Sequence, residues 1–182
     1  MTRGEMELGG SWTLQGPSGE PVSDVDLRGD WLLLYFGFTQ CPDICPEQLE
    51  RNVEVVEAVE RVSGGAVRVR PVMVTLDPER DTPPVLSRYC ASYSPRLLGL
   101  TGTEQQIITC KKLYYVFSEL GQSDPNGDYL LDRMFHARRR TLVDTAHMNY
   151  EQSNIFLLIQ YSFIHHTVSV RVHTNTVQSV YS

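Results

Sequence analysis

At 182 residues, with 41% apolar and 21% charged side chains, the chain is sized for one domain with a real core, and its composition is neither collagen-like nor disordered. The 22 acidic and 16 basic residues leave a formal net charge of -6, which argues against nucleic acid as a partner, because a phosphate backbone requires a basic face. The one basic run, Arg138-Arg139-Arg140, reads as a solvated or aberrant segment.

In chain order, Ser11 to Gln15 and Glu20 to Val22 flank Gly16-Pro17-Ser18-Gly19 and form a short hairpin. Trp31 to Gly37 is apolar throughout, the pattern of a strand buried on both faces at the centre of a sheet. A loop from Phe38 to Cys45 follows. Pro46 then suits the first position of a helix running to about Val62, with Leu49, Val53, Val56 and Val59 as its apolar stripe and Glu50, Glu54, Glu57 and Glu60 facing water. Val67 to Leu76 is the next strand, and Pro71 makes its first half peripheral or irregular. The loop Asp77 to Asp81 leads to a helix capped by Thr82, with Pro83 at its first position and Leu86, Cys90 and Tyr93 on one face. Leu97 to Leu100 is a short strand, and Thr103 caps a third helix lined by Ile107, Cys110, Tyr114 and Phe117. Alternating strands and helices predict an α/β fold, a mixed sheet with helices on both faces. Cys90 and Cys110 fall on apolar stripes and read as small buried hydrophobes.

The pattern breaks near Arg133. All 13 glycines and all 10 prolines lie in residues 1–127, whereas all five histidines lie in 136–173. At average usage, a stretch as long as 128–182 would lack both Gly and Pro on the order of one time in a thousand. Phe163 to Val180 is rich in Val, Thr, Ser and His, a poor helix composition, and looks like strand or unspecified chain. The chain therefore divides into a domain over 1–132 and a divergent tail over 133–182, whose origin is expected to be alternative splicing or a shifted reading frame.

Chemistry concentrates at Cys41 and Cys45, in the run Cys41-Pro42-Asp43-Ile44-Cys45-Pro46. This run follows the central strand and opens a helix, where open α/β sheets gather their functional groups. A helix N-terminus favours the thiolate, the form that binds metal and attacks disulfides. The four-residue offset puts both sulfurs within reach of one ion, and paired thiolates select a soft cation such as copper(I). A structural zinc site needs four ligands, and there is no second close Cys pair. Spacing alone leaves a redox dithiol, a metal site, a structural disulfide and inert thiols all open.

Tyr35-Phe36-Gly37-Phe38-Thr39-Gln40-Cys41-Pro42-Asp43-Ile44-Cys45-Pro46-Glu47-Gln48-Leu49, together with Thr75 to Pro83 and Pro95 to Gly102, closely resembles the SCO/SenC family over about residues 9–132. These are copper-binding assembly factors of cytochrome c oxidase with a thioredoxin-like fold. The resemblance implies that Cys41 and Cys45 ligate copper or form a reversible disulfide. It implies as partners the copper-bearing oxidase subunit and other copper chaperones. It also implies the mitochondrial intermembrane space, with a tether to the inner membrane that would precede this chain. The residues themselves give a different picture. Met1 to Leu8 has neither an apolar signal core nor an Arg-rich leader, and the longest apolar runs, Trp31 to Phe38 and Ile155 to Ile164, fall short of the roughly 20 residues of a membrane span. Taken literally, they describe a cytosolic chain without a membrane span.

The family's third ligand is a histidine directly after an Asp-Tyr-x-x-Asp stretch. Asp128-Tyr129-Leu130-Leu131-Asp132 matches, but Arg133 follows, and a guanidinium has no lone pair to donate. His136 and His166 are the candidate substitutes, set against a plain solvent-exposed role for all five histidines. The family's later strands and closing helix have no recognisable counterpart, which predicts an exposed sheet edge. Three functional readings follow: a copper chaperone, a thiol-disulfide oxidoreductase using Cys41 and Cys45, and an inactive variant. Asp77 and Asp81 fall in a loop near the site, with a turn and helix-capping role as the plain alternative.

Overall fold

The computed structural model describes residues 9–42, 44–116, 119–123, 129–132, 141–144, 155–162, 167–174 and 177–178, with side chains described over 9–42 and 45–116. Arg133, His136, His166, Phe117 and the Arg138 to Arg140 run lie outside these residues.

Strands β1 (Thr13–Gln15) and β2 (Pro21–Ser23) form the expected hairpin. Gly19 takes φ 80° in its turn, a conformation in which a side chain would be strained. The main sheet is built on β3 (Trp31–Gly37) and β4 (Val69–Thr75), parallel to each other, with β5 (Leu98–Leu100) parallel on the far side of β4. Strand β8 (Thr141–Asp144) runs antiparallel along the other side of β3, giving the order β5-β4-β3-β8. The sheet is therefore mixed, and β3 is interior to it, as its continuous apolar run requires.

Side chains alternate across β3 and divide the core in two. Leu32, Leu34 and Phe36 join Val72 and Val74 on one face, where they meet Ile107 and Cys110 of α3 (Glu104–Leu113), Tyr114 just past its end, and Trp12 and Leu14 of the hairpin. On the opposite face Leu33 packs with Val55, Val56 and Val59 of α1 (Ile44–Val62). Met73 packs there with Leu49 of α1 and with Leu86 and Cys90 of α2 (Pro83–Tyr93). Helices thus cover both faces.

Several local expectations change. Helix α1 starts at Ile44, two residues before Pro46, so Cys45 lies inside the first turn rather than in a loop. Proline is tolerated there because first-turn N–H groups have no intrahelical acceptor anyway. The buried stripe of α1 uses Asn52 and Val55, while Val53 is only half-buried and Glu60 is drawn in toward Arg96. Pro71 sits in regular, buried strand. It is accommodated because β5 pairs only with Val72 to Val74, so no ladder bond is demanded of Pro71 on that side. Thr82 occupies the cap position of α2 without a side-chain cap bond; Pro84, at the second helical position, has no N–H for it to accept from. Thr103, by contrast, forms a full capping box with Gln106. Helix α3 stops at Leu113 because Tyr115, at φ 53°, reverses the chain; Val116 N donates to Lys111 O and Tyr115 N to Lys112 O.

Strands β6 (Glu119–Ser123) and β7 (Tyr129–Asp132) pair antiparallel. The tail is strand where it is described: besides β8, strand β10 (Thr167–Thr174) lies between β9 (Ile155–Ser162) and β11 (Val177–Gln178) in an antiparallel sheet. The expectation of an open edge on the main sheet is overturned along Trp31 to Leu34, where β8 supplies the neighbouring strand. No helix among the described residues is long and apolar enough to cross a membrane.

Candidate metal centre

The site forms where β3 delivers the chain out of the middle of the sheet. Cys41 N donates to Phe38 O at 3.3 Å, closing a tight turn before α1 begins. Phe38, Cys41 and Cys45 are buried in the same cluster, and none of the four cysteines is in a disulfide. Cys41 keeps 8% of its surface exposed and Cys45 none. Gly37 matters here for its missing side chain: a Cβ would lie 2.6 Å from the Tyr35 ring and 3.2 Å from Cys45 Sγ. The first turn of a 19-residue helix then sets the positive end of its dipole beside Cys45.

A second loop fixes the first. Asp81, wholly buried, accepts from Thr39 N at 3.1 Å, from Thr39 Oγ1 and from Thr75 Oγ1 at 2.6 Å. Burial pushes its carboxyl above the ordinary carboxylate range, against the pull of those three hydrogen bonds and with a small push from Asp77. Arg80 pairs with Asp77 and donates from Nη1 to Gln40 Oε1 at 3.1 Å. The residues immediately before Cys41 are thereby held at Thr39 and Gln40 by the Asp77 to Asp81 loop. Asp81 is an interior clamp rather than only a turn residue. Nothing in sequence marks this, because Thr39 and Asp81 meet only once two parallel strands end side by side.

Sequence reasoning also missed Tyr89. Its hydroxyl accepts from Tyr93 Oη at 3.3 Å, and the rings stack edge to face at 5.2 Å. Burial chiefly, then Tyr93, then any negative charge on Cys45 and Cys41 keep the phenol protonated. Cys90 and Cys110 behave as expected of buried hydrophobes: burial pushes each thiol up to about 12, so neither is a thiolate at neutral pH.

Cys41 and Cys45 belong to one buried cluster, while Arg133, His136 and His166 lie outside the described residues. Among the described residues no group of three or more His, Cys, Asp or Glu side chains converges as a metal site. Two thiols against a helix N-terminus can bind a soft cation or exchange with a disulfide.

The family model described as SCO1/SenC matches residues 1–153. The mitochondrial protein SCO1 homolog of Homo sapiens is 40% identical over 129 residues, covering 71% of this chain and 42% of that protein. The mitochondrial protein SCO2 homolog of Bos taurus is 45% identical over 123 residues, 68% of this chain and 46% of that protein. The chain thus spans less than half the length of these relatives. Among solved structures, Arabidopsis thaliana ScoI with copper bound superposes with a TM-score of 0.65 at 38% identity, over 69% of this chain and 76% of that one. Yeast Sco1 with copper bound gives 0.63 at 35%, over 70% of each chain. The expected thioredoxin-like α/β architecture is the fold of these structures.

Proposed function

Because this chain belongs to the SCO1/SenC family, we propose that it is a copper-binding assembly factor for cytochrome c oxidase whose cargo is held by the thiolates of Cys41 and Cys45. The observation that carries the reading is the meeting of both cysteines in one buried cluster where β3 gives way to α1. The copper-bound structures it resembles support the choice of metal.

The electrostatics favour copper(I). Two thiolates and one monovalent ion leave a single negative charge, which a helix N-terminus stabilises, whereas a hard divalent ion prefers oxygen ligands. Each ligating thiol gives up its proton, so loading tightens as pH rises. Arg133 contributes no lone pair, so a third ligand must come from elsewhere. The partners are then the copper-bearing oxidase subunit and other copper chaperones. The mitochondrial naming of the relatives supports a mitochondrial location, and the family resemblance implies the intermembrane space. Residues 1–132 carry the function, and 133–182 form a divergent tail.

A second reading is favoured by the placing of both cysteines in one cluster with neither in a disulfide: a thiol-disulfide oxidoreductase cycling Cys41 and Cys45 through a disulfide. Copper(I) titration of the reduced chain against a competing chelator separates the two. Wild type is expected to hold one copper(I), and Cys41→Ser or Cys45→Ser to weaken it at least about 100-fold, since loss of even an outer-shell partner costs 10–100-fold. Unchanged affinity in both variants refutes the copper reading. Turnover of a disulfide substrate by the metal-free protein establishes the second.

A further inference from the structure

The cysteine loop sits at the end where β3 and β4 leave the sheet. The opposite end, where β4 and β5 begin, gathers charge of its own. Strand β5 pairs only with Val72 to Val74, and a cavity of about 440 Å³ opens beside the unpaired start of β4, lined by Val69 to Pro71 on that strand. A space of this size is within the range of small-molecule sites. Its lining brings together Arg68, Arg70 and Arg96, with Asp30 as the one acidic residue among them and Ser87 contributed by α2. Three positive charges against one negative leave an excess of two, in a chain whose net charge is -6.

The ion pairs within the protein fix the arginines without using them up. Arg70 Nη2 donates to Asp30 Oδ2 at 2.8 Å, and Arg68 Nε pairs with Asp30 Oδ1 at 3.2 Å. Arg96 holds Glu60 with both Nη atoms, at 2.7 and 2.6 Å, and Nη2 also reaches Val69 O at 3.3 Å. Neither set exhausts the five N–H groups that each guanidinium presents. Stability does not account for the gathering either. The side chains of Arg68, Arg70 and Arg96 are 74%, 39% and 50% exposed, and ion pairs so exposed contribute little. Three like charges around one cavity repel one another, and an anion seated among them relieves that repulsion. A guanidinium is a planar fork that meets two oxygens of one oxyanion at once. A phosphate monoester carries close to two negative charges at neutral pH, which matches the excess of the lining. Bare phosphate would leave most of the space empty, whereas Pro95 and Leu98 offer apolar surface to an organic body.

We propose that this cavity binds a small organic phosphate, with its phosphoryl oxygens held by Arg68, Arg70 and Arg96. The site is independent of the copper reading, since no residue of Phe38 to Cys45 or of Asp77 to Asp81 lines it.

The test is titration calorimetry of the full chain at low salt with phenyl phosphate, inorganic phosphate and an aspartate-rich peptide. A single phenyl phosphate is expected to bind, about tenfold more tightly than inorganic phosphate, through the apolar area its ring buries. Arg70→Gln should weaken it at least about tenfold, the scale of one charge-assisted hydrogen bond. Ser87→Asp should do the same by adding a carboxylate to the cavity; it touches none of the ion pairs and so serves even if Arg70→Gln fails to fold. Cys41→Ser should leave the affinity unchanged. Equal affinity for the two phosphates overturns the organic ligand in favour of free phosphate. Binding of the peptide but of neither phosphate overturns it in favour of a protein-docking surface. Absence of saturable binding, or an affinity that Ser87→Asp does not alter, overturns the site itself.

Discussion

Asp81 shows what one side chain does for the site. Its two oxygens hold Thr39 and Thr75, so the end of β4 and the start of the cysteine loop are joined through a single carboxyl. Because burial raises its pKa, the folded state holds that proton more tightly than the unfolded chain does. The associated stability is complete below the ordinary aspartate value of about 3.9 and is lost as pH rises through the higher folded value. Asn at this position keeps an acceptor for Thr39 and has nothing to ionise. Urea unfolding of wild type and Asp81→Asn across a pH series is therefore expected to show the difference moving in favour of the variant as pH rises above about 4. A difference independent of pH would mean that Asp81 does not titrate with a raised pKa.

Helix α1 carries the cysteine at its first turn, and its own burial fixes where that turn points. Leu49, Val55, Val56 and Val59 are at most 2% exposed, and Asn52 sits among these stripe positions at 3%. Asn52 Oδ1 accepts no hydrogen bond within the described structure, an orphaned polar atom in an otherwise apolar stripe. Replacing it with leucine, which has the same branched outline though a larger volume, removes the desolvation penalty of that oxygen. Asn52→Leu should raise unfolding free energy by about 1 kcal/mol, read as a higher urea midpoint at constant m-value. A lower midpoint would show that the amide is satisfied by a partner the leucine cannot replace. At this scale the helix itself is legible in sequence, since glutamates and valines recur with the helical period. The Asn52 position is not, because an apolar count skips a buried polar residue. The α3 terminus is similarly hidden: Tyr115 at φ 53° does the work usually given to glycine, and nothing in its chemistry announces it.

Over the whole molecule, the decisive contact is that of β8 with β3. Thr141 to Asp144 pairs with Trp31 to Leu34 and gives the central strand a neighbour on its second side. A chain ending at Asp132 would leave that row of backbone groups open, a template for edge-to-edge association. The truncated protein should melt lower than the full chain and form oligomers in sedimentation at concentrations where the full chain is monomeric. An equal melting temperature with no association would make β8 dispensable. The sequence alone determined the strand and helix alternation, the burial of Trp31 to Gly37 and the placing of Cys41 and Cys45 at a strand-to-helix junction, because periodicity and proline position are local properties. It determined too that Cys90 and Cys110 are core residues, since each falls on an apolar stripe. Only the tertiary structure decided that Asp81 holds Thr39, that Cys45 packs close over a side-chain-free Gly37, and that a tail without glycine or proline lays a strand along β3. Those contacts join residues far apart in the chain, and their geometry depends on the register of parallel strands, which no local pattern encodes.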